Sequence, residues 1–141
     1  MTLEQAIEQL RELNEPVPKP ARLPTENELT FIEKELDVRL HADLRKYLLT
    51  ASDIVYGTKE PATITDPEAH TDLARMCETA WEELDVPRDL VPFCEDNGDY
   101  FCINKRGQVV LRSADGATDE KWPNLAAWIE EVWIGESEEE S

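Results

Sequence analysis

The fold class is decided by one segment, residues 90–112, which reads LVPFCEDNGDYFCINKRGQVVLR. It contains three short apolar or alternating runs and two turns that contain glycine: the runs are residues 90–94, 100–104 and 108–112, and the turns are residues 96–99 and 105–107. Runs of this length joined by glycine-containing turns are typical of antiparallel hairpins. The segment therefore predicts a meander of three antiparallel strands.

Amphipathic helices surround the meander, because apolar residues recur at helical spacing and capping residues or proline mark the helix starts. The helices are predicted at residues 3–13, from the capping box of Thr25 and Glu28 to about Asp37, from His41 through Leu48, from Asp66-Pro67 to before Pro87, and from Trp122-Pro123 through Trp133. Brief strands are also predicted at residues 54–56 and 62–64. This order predicts an α+β fold with a single antiparallel or mixed sheet, the C-terminal meander, packed with about five helices.

Composition divides the chain into four segments: residues 1–15 form an N-terminal amphipathic helix, residues 16–24 a proline-rich connector, residues 23–134 the α+β domain, and residues 135–141 an acidic disordered tail. Alternating prolines block a helix and favour an extended connector. The glutamate-rich end has no apolar side chain to bury, which predicts fraying. Three of the four tryptophans lie on or beside apolar helix stripes, and the set is predicted to belong to the core rather than to a binding surface.

Charge narrows the class of partner. The chain carries 14 Lys and Arg against 32 Asp and Glu, a net charge of −18 at pH 7. Such a surface repels phosphate backbones and anionic lipids, so we expect neither nucleic acid nor membrane as a partner. It attracts basic proteins, and a basic toxin or another basic protein is the expected partner. Solubility alone is the competing explanation of the charge, and the oligomeric state is left open.

The cysteines and the N-terminus indicate the compartment. Three cysteines, an odd number, do not form a secreted disulfide framework without a remainder. The first residues lack a basic start followed by an apolar run, so no export signal is predicted. Apolar stretches are far shorter than the roughly 20 residues that span a bilayer. We expect a soluble cytoplasmic protein with reduced thiols.

A calcium loop and a zinc site can both be imagined near Gly98. With Gly98 at the sixth position of a calcium loop, Phe93 would be the first ligand and Asn104 the last, and neither fits. Cys94 and Cys102 flank the same turn, but zinc needs about four ligands. A tight hairpin with inert, buried thiols is the better interpretation.

Catalytic constellations are not recognisable in the sequence. No surrounding motif joins a serine or cysteine to His41 or His70, and five glycines do not form a phosphate loop. Neighbouring carboxylates are too abundant to indicate acid–base chemistry. We predict no catalytic residue, no metal and no cofactor, and thus no enzyme.

Three stretches together resemble one protein family. The first contains LPTENE at residues 23–28, IEKELDVRL at 32–40 and DLRKYLL at 43–49; the second contains LVPFCEDNGDYFCIN at 90–104 and GQVV at 107–110; the third contains WPNL at 122–125 and WIEEVW at 128–133. In this order they resemble the SUKH superfamily, also called Smi/Knr-type domains. His41 stands where the family usually has proline, and residues 51–53 replace a common Asn-Gly pair, which leaves the loop at 52–58 undefined.

The resemblance implies a binding function. Proteins of this superfamily are known mainly as bacterial immunity proteins that neutralise toxins, often nucleases, and as regulatory modules, without shared catalytic residues. We therefore expect an immunity protein that occludes a toxin, with a regulatory or scaffold module and a metal-dependent hydrolase as alternatives. Because loops expose carboxylates, the partner-binding residues are predicted to be Asp53, Glu95, Asp96, Asp99 and Asp115.

Overall fold

The computed structural model of the protein describes residues 2–18, 21–113 and 115–140, the last three by their backbone alone. Its elements are α1 (Leu3–Leu13), α2 (Glu26–Leu36), α3 (Ala42–Ala51), α4 (Leu73–Glu83), β1 (Val91–Asp96), β2 (Asp99–Ile103), β3 (Val109–Ser113), β4 (Gly116–Trp122), α5 (Leu125–Trp128), a π-helical segment (Ile129–Ile134) and α6 (Gly135–Glu140). The α+β fold class is confirmed. The described part of the connector, residues 16–18 and 21–24, contains no helix or strand, and Lys19 and Pro20 lie outside the described residues.

The sheet is the predicted meander with a fourth strand added. All neighbouring strands are antiparallel, in the order β1-β2-β3-β4. Asn97 and Gly98 have φ angles of 54° and 90°, as a tight two-residue hairpin turn requires, so the turn prediction is confirmed. The fourth strand is not among the three that the sequence predicts, because its sequence GATDEKW is largely polar. It is an edge strand, where charged side chains remain solvated while the backbone pairs with β3.

Three predictions in the middle of the chain are wrong, namely two strands and one helix start. Residues 54–56 and 62–64 form no strand, and only isolated bridges join Pro61 to Cys94 and Thr63 to Asp72. The helix predicted at Asp66 begins instead at Leu73. The Thr63 N–H donates to the Thr71 carbonyl and the Leu73 N–H donates to the Thr63 carbonyl, which holds the backbone extended just before the helix. Local capping chemistry at Asp66 therefore stabilises only a turn, in which the Asp66 carboxylate accepts the Glu68 N–H.

One hydrophobic core joins helices from both ends of the chain to the sheet. Trp128 is 1% exposed, with its ring centroid 4.9 Å from that of Phe93 and 5.2 Å from that of Phe101. Ala6 and Leu10 of α1 are fully buried in the same cluster, where α1 contacts α3, α5 and the π-helical segment. Of the four tryptophans, Trp81, Trp128 and Trp133 are buried and Trp122 is half-buried, which confirms most of the core prediction.

The C-terminal helix extends further than the sequence predicts. Residues from 135 onward were expected to fray, but the backbone is helical from Gly135 to Glu140. The loop at residues 56–59 holds this end: the Trp133 indole N–H donates to the Tyr56 carbonyl at 2.8 Å, and Ser137 is buried against Gly57. Ser141 lies outside the described residues.

We predict that α1 unfolds together with the rest of the domain. Leu10→Ala leaves a cavity at a fully buried position, so the free energy of unfolding should fall by about 2–5 kcal/mol in a single transition. Leu23→Ala is the control, because Leu23 is 38% exposed, and it should change the value by less than about 0.5 kcal/mol. Urea denaturation followed by circular dichroism measures both. A negligible effect of Leu10→Ala, or two separate transitions, would contradict the shared core.

Candidate functional site

Carboxylates from the sheet and from the C-terminal helix converge on a groove of about 310 Å³. The lining residues are five acids and four apolar residues, namely Asp96, Asp99, Glu120, Glu131 and Glu136 with Phe101, Leu111, Trp122 and Val132. We call this the acidic groove. Carboxylates form its rim and apolar side chains form its floor. Carboxylates scattered at random over a surface would not share such a floor.

The sheet places its share of these residues by strand alternation. Asp96 and Asp99 are directly paired at the mouth of the β1–β2 hairpin. Asp99 and Phe101 are two residues apart on β2 and therefore share a face, and Phe101 is paired with Leu111 of β3. On the edge strand β4, Glu120 and Trp122 are likewise two residues apart.

The helix places Glu131 and Glu136 through its π-helical winding. In an α-helix, residues five apart are rotated by roughly 140° from each other. Here the Gly135 N–H donates to the Glu130 carbonyl, the i to i−5 bond of a π-helix. The wider turn brings Glu131 and Glu136 to the same groove.

Aromatic rings form the floor of the acidic groove. Trp122 meets Phe101 edge to face, with ring centroids 5.7 Å apart and an interplanar angle of 61°. Phe101 in turn packs against the buried Trp128. The half-buried Trp122 offers an aromatic surface beside carboxylates, an arrangement that attracts Lys or Arg side chains.

Lys59 neutralises one side of the acidic groove. Its side chain is 7% exposed, and its Nζ lies 3.3 Å from the Asp96 carboxylate and 4.0 Å from that of Glu136. Among the described residues, Asp99, Glu120 and Glu131 form no ion pair. Three carboxylates are therefore available to an external cation.

The structure brings together only two of the five predicted binding residues, Asp96 and Asp99. The Asp53 carboxylate accepts two hydrogen bonds of 2.8 Å from Arg11 of α1. Glu95 accepts the Gly98 N–H within its own turn, and Asp115 is exposed in the turn between β3 and β4. Sequence reasoning missed Glu120, Glu131, Glu136 and Lys59. The alternation of Glu120 with Trp122 was the one signal present, and it becomes meaningful only once β4 is recognised as a strand.

The three cysteines are free and buried. Cys94 is paired with Phe101 and Cys102 with Pro92, because a bulge shifts the register between Pro92 and Cys94. Burial raises the pKa of the Cys94 and Cys102 thiols to about 12, and it also raises the pKa of Cys77. All three thiols are therefore protonated at neutral pH, whereas nucleophilic attack requires a thiolate.

Within residues 2–18, 21–113 and 115–137, no three His, Cys, Asp or Glu side chains converge closely enough to hold a metal ion. The described helices also include none that is long and apolar enough to cross a membrane. The acidic groove thus presents carboxylates that are spaced apart along a surface.

The fold and the groove define an α+β domain with a four-stranded meander and a π-wound C-terminal helix. The SUKH_5 family model, described as "SMI1-KNR4 cell-wall", matches residues 3–134. The chain belongs to this family, which confirms the resemblance found in the sequence. No curated protein matches the chain.

A solved structure supports the fold directly. The crystal structure of a protein from Pseudomonas syringae pv. tomato is 48% identical in sequence to this chain. The two superpose with a TM-score of 0.89, and the match covers 94% of this chain and 98% of that protein. The matched region extends across nearly the whole of both chains.

We predict that the cysteines do not react in the folded protein. At pH 8 a thiol reagent should modify none of the three at a measurable rate, because they are buried and protonated, and should modify all three in denaturant. Mass spectrometry counts the modified sites. Rapid modification of any cysteine without denaturant would show that its burial is wrong.

We predict that Lys59 stabilises the acidic groove electrostatically. Lys59→Met leaves Asp96 and Glu136 without their shared cation, and the free energy of unfolding should fall by about 0.5–3 kcal/mol. Lys121→Met is the control, since Lys121 is exposed on β4. In a double-mutant cycle, Asp96→Asn should cost less in the Lys59→Met background than in the parent. Strictly additive effects would show that the pair is not coupled.

Proposed function

We propose that this chain is a cytoplasmic immunity protein that neutralises a basic protein toxin of the nuclease class by covering its active site. The acidic groove carries the proposal: three carboxylates without an ion-pair partner among the described residues surround an aromatic floor. Membership of the SUKH family supports a binding role. The protein itself performs no chemical step in this scheme.

The size of the acidic groove sets what it can bind. A volume of about 310 Å³ accommodates one or two side chains, not a protein surface. A toxin arginine could insert so that its guanidinium lies against Trp122 and donates to Asp99, Glu120 or Glu131. Arginine is favoured over lysine here because its planar fork binds carboxylates in pairs and stacks on aromatic rings.

The groove would block the active site of the toxin by imitating the negative charge of its substrate. A nuclease binds substrate phosphates with basic side chains, and the groove carboxylates would occupy the same positions. The net charge of −18 adds a long-range attraction that speeds the encounter. The groove would then determine how long the complex lasts, since well-placed charge pairs at an interface mainly slow dissociation.

The first test is protection in cells. Because a toxin and its immunity protein are usually encoded together, the protein encoded by the neighbouring gene is the candidate partner. Expression of that protein alone in a bacterial host should stop growth, and co-expression of this chain should restore it. A neighbour that is harmless, or a toxic neighbour that this chain neither binds nor blocks, would refute the immunity role.

The second test locates the interface with the same partner. Asp99→Asn/Glu120→Gln/Glu131→Gln should weaken binding about 10- to 1000-fold, mostly through faster dissociation, and should reduce its salt dependence. Glu68→Gln/Glu78→Gln/Glu82→Gln removes the same charge from exposed positions outside the groove and should only slow association slightly. Surface plasmon resonance at several salt concentrations measures both. Equal effects of the two triple variants would mean that diffuse charge, not the groove, binds the partner.

A further inference from the structure

A second cavity, of about 990 Å³, lies at the opposite end of the sheet from the acidic groove. It is next to the paired residues Val91 and Ile103, whereas the groove is next to the pair Asp96 and Asp99. Its walls are residues 37–42, 88, 89, 91 and 103–105. We call it the basic-rimmed pocket.

Charge around this pocket is reversed relative to the rest of the chain. Its lining includes three Lys or Arg residues and two Asp residues, namely Arg39, Arg88 and Lys105 with Asp37 and Asp89, while the whole chain has 14 Lys and Arg against 32 Asp and Glu. Arg39 and Lys105 are exposed and form no ion pair with the described residues. Cations thus outnumber acids in the lining of this pocket, and at least two of them are available to a ligand.

Arg88 is held in position by neutral partners. Its guanidinium lies 4.2 Å from the centroid of the Trp81 ring, and it donates a 2.7 Å hydrogen bond to the Leu36 carbonyl. Within the described ranges no carboxylate lies at ion-pair distance from it. An arginine fixed by stacking and by a carbonyl keeps its charge for a ligand and loses little side-chain entropy on binding.

The walls of the pocket are braced against each other. His41 caps α3, where its Nδ1 accepts the Asp43 N–H, so the neutral ring carries its hydrogen on Nε2. A Cβ on Gly107, which has a φ of +85°, would lie 2.7 Å from that Nε2. The β2–β3 turn therefore approaches α3 as closely as only glycine permits, and the pocket exists before any ligand arrives.

The floor of the pocket is apolar, formed by Val38, Leu40, Val91 and Ile103. A cavity of this size with an apolar floor and a few charged groups is suited to a ligand larger than a single ion. A nucleic acid would offer no aliphatic side chain to this floor and would be repelled by the net charge of −18.

We propose that the basic-rimmed pocket binds an acidic peptide segment of a protein partner. An aliphatic side chain of the segment packs on the apolar floor, one carboxylate pairs with Arg88, and flanking carboxylates pair with Arg39 and Lys105. This site is separate from the acidic groove and does not depend on the immunity role. A single copy of the chain thus carries two binding faces of opposite chemistry.

Tryptophan resonances test the proposal, because each site has its own indole. The Trp81 Nε1–H donates to the Leu90 carbonyl, next to Val91 in the pocket floor, whereas Trp122 lines the acidic groove. The probe is the peptide acetyl-Glu-Leu-Asp-Leu-Glu-amide, followed by ¹H–¹⁵N spectra of the full chain. We expect a saturable shift of the Trp81 indole signal and no shift of Trp122. Absence of a saturable Trp81 shift at millimolar peptide would overturn the proposal.

Charge-reversal variants separate the pocket from general electrostatics. Arg39→Glu/Lys105→Glu should weaken binding of the acidic peptide at least 10-fold. Arg75→Glu/Lys121→Glu changes the net charge equally at exposed positions outside the pocket and should have much less effect. Equal weakening by both pairs would refute a defined site. A Trp81 shift that depends on protein concentration without peptide would assign the pocket to a second copy of the chain and would also overturn the proposal.

Discussion

The packing of Trp128 between the sheet and the other helices is the contact on which the arrangement of this protein depends. Its ring packs against Phe93 and Phe101 of the sheet and against Trp133 of the following helical segment. Large aromatic side chains bury much area and prefer edge-to-face contacts, so they fix both distance and angle. Because Trp128 ends α5 and the helical run continues from it through Glu136, its position also determines which carboxylates face the sheet.

The fold accommodates the excess of acidic residues in two ways: some carboxylates form ion pairs, and others lie apart from the group of cations. Several carboxylates are matched locally, as in the pairs Arg11–Asp53, Arg22–Glu28 and Lys59–Asp96. The exposed pairs Arg11–Asp53 and Arg22–Glu28 contribute little stability individually, whereas the Lys59 side chain is buried, but each pair removes one repulsive charge from the surface. The acidic groove holds carboxylates that form no ion pair with described residues, and the basic-rimmed pocket holds a group of cations. These two sites lie at opposite ends of one sheet. Binding at either end would relieve like-charge repulsion that the fold alone leaves in place.

Local sequence patterns were reliable wherever neighbouring residues decide the structure. The capping box of Thr25 and Glu28 begins α2 as predicted, and His41 caps α3. The hairpin at Asn97-Gly98 follows from backbone preferences alone. The same reasoning failed at Asp66, where hydrogen bonds between Thr63 and residues 71–73 displaced the helix start. It also failed at β4, whose polar sequence becomes a strand only because β3 offers an unpaired edge.

The sequence by itself determined the α+β class, the order of most elements, the buried cysteines and the strongly negative charge, since these depend on composition and on contacts between near neighbours. Tertiary structure decided which charged side chains come together at one site. Asp96 and Asp99 are joined at the groove by Glu120 from an edge strand and by Glu131 and Glu136 through π-helical winding, while Lys59 arrives from a loop without regular structure. Such convergence depends on long-range packing and register, and periodicity along the chain carries no information about either.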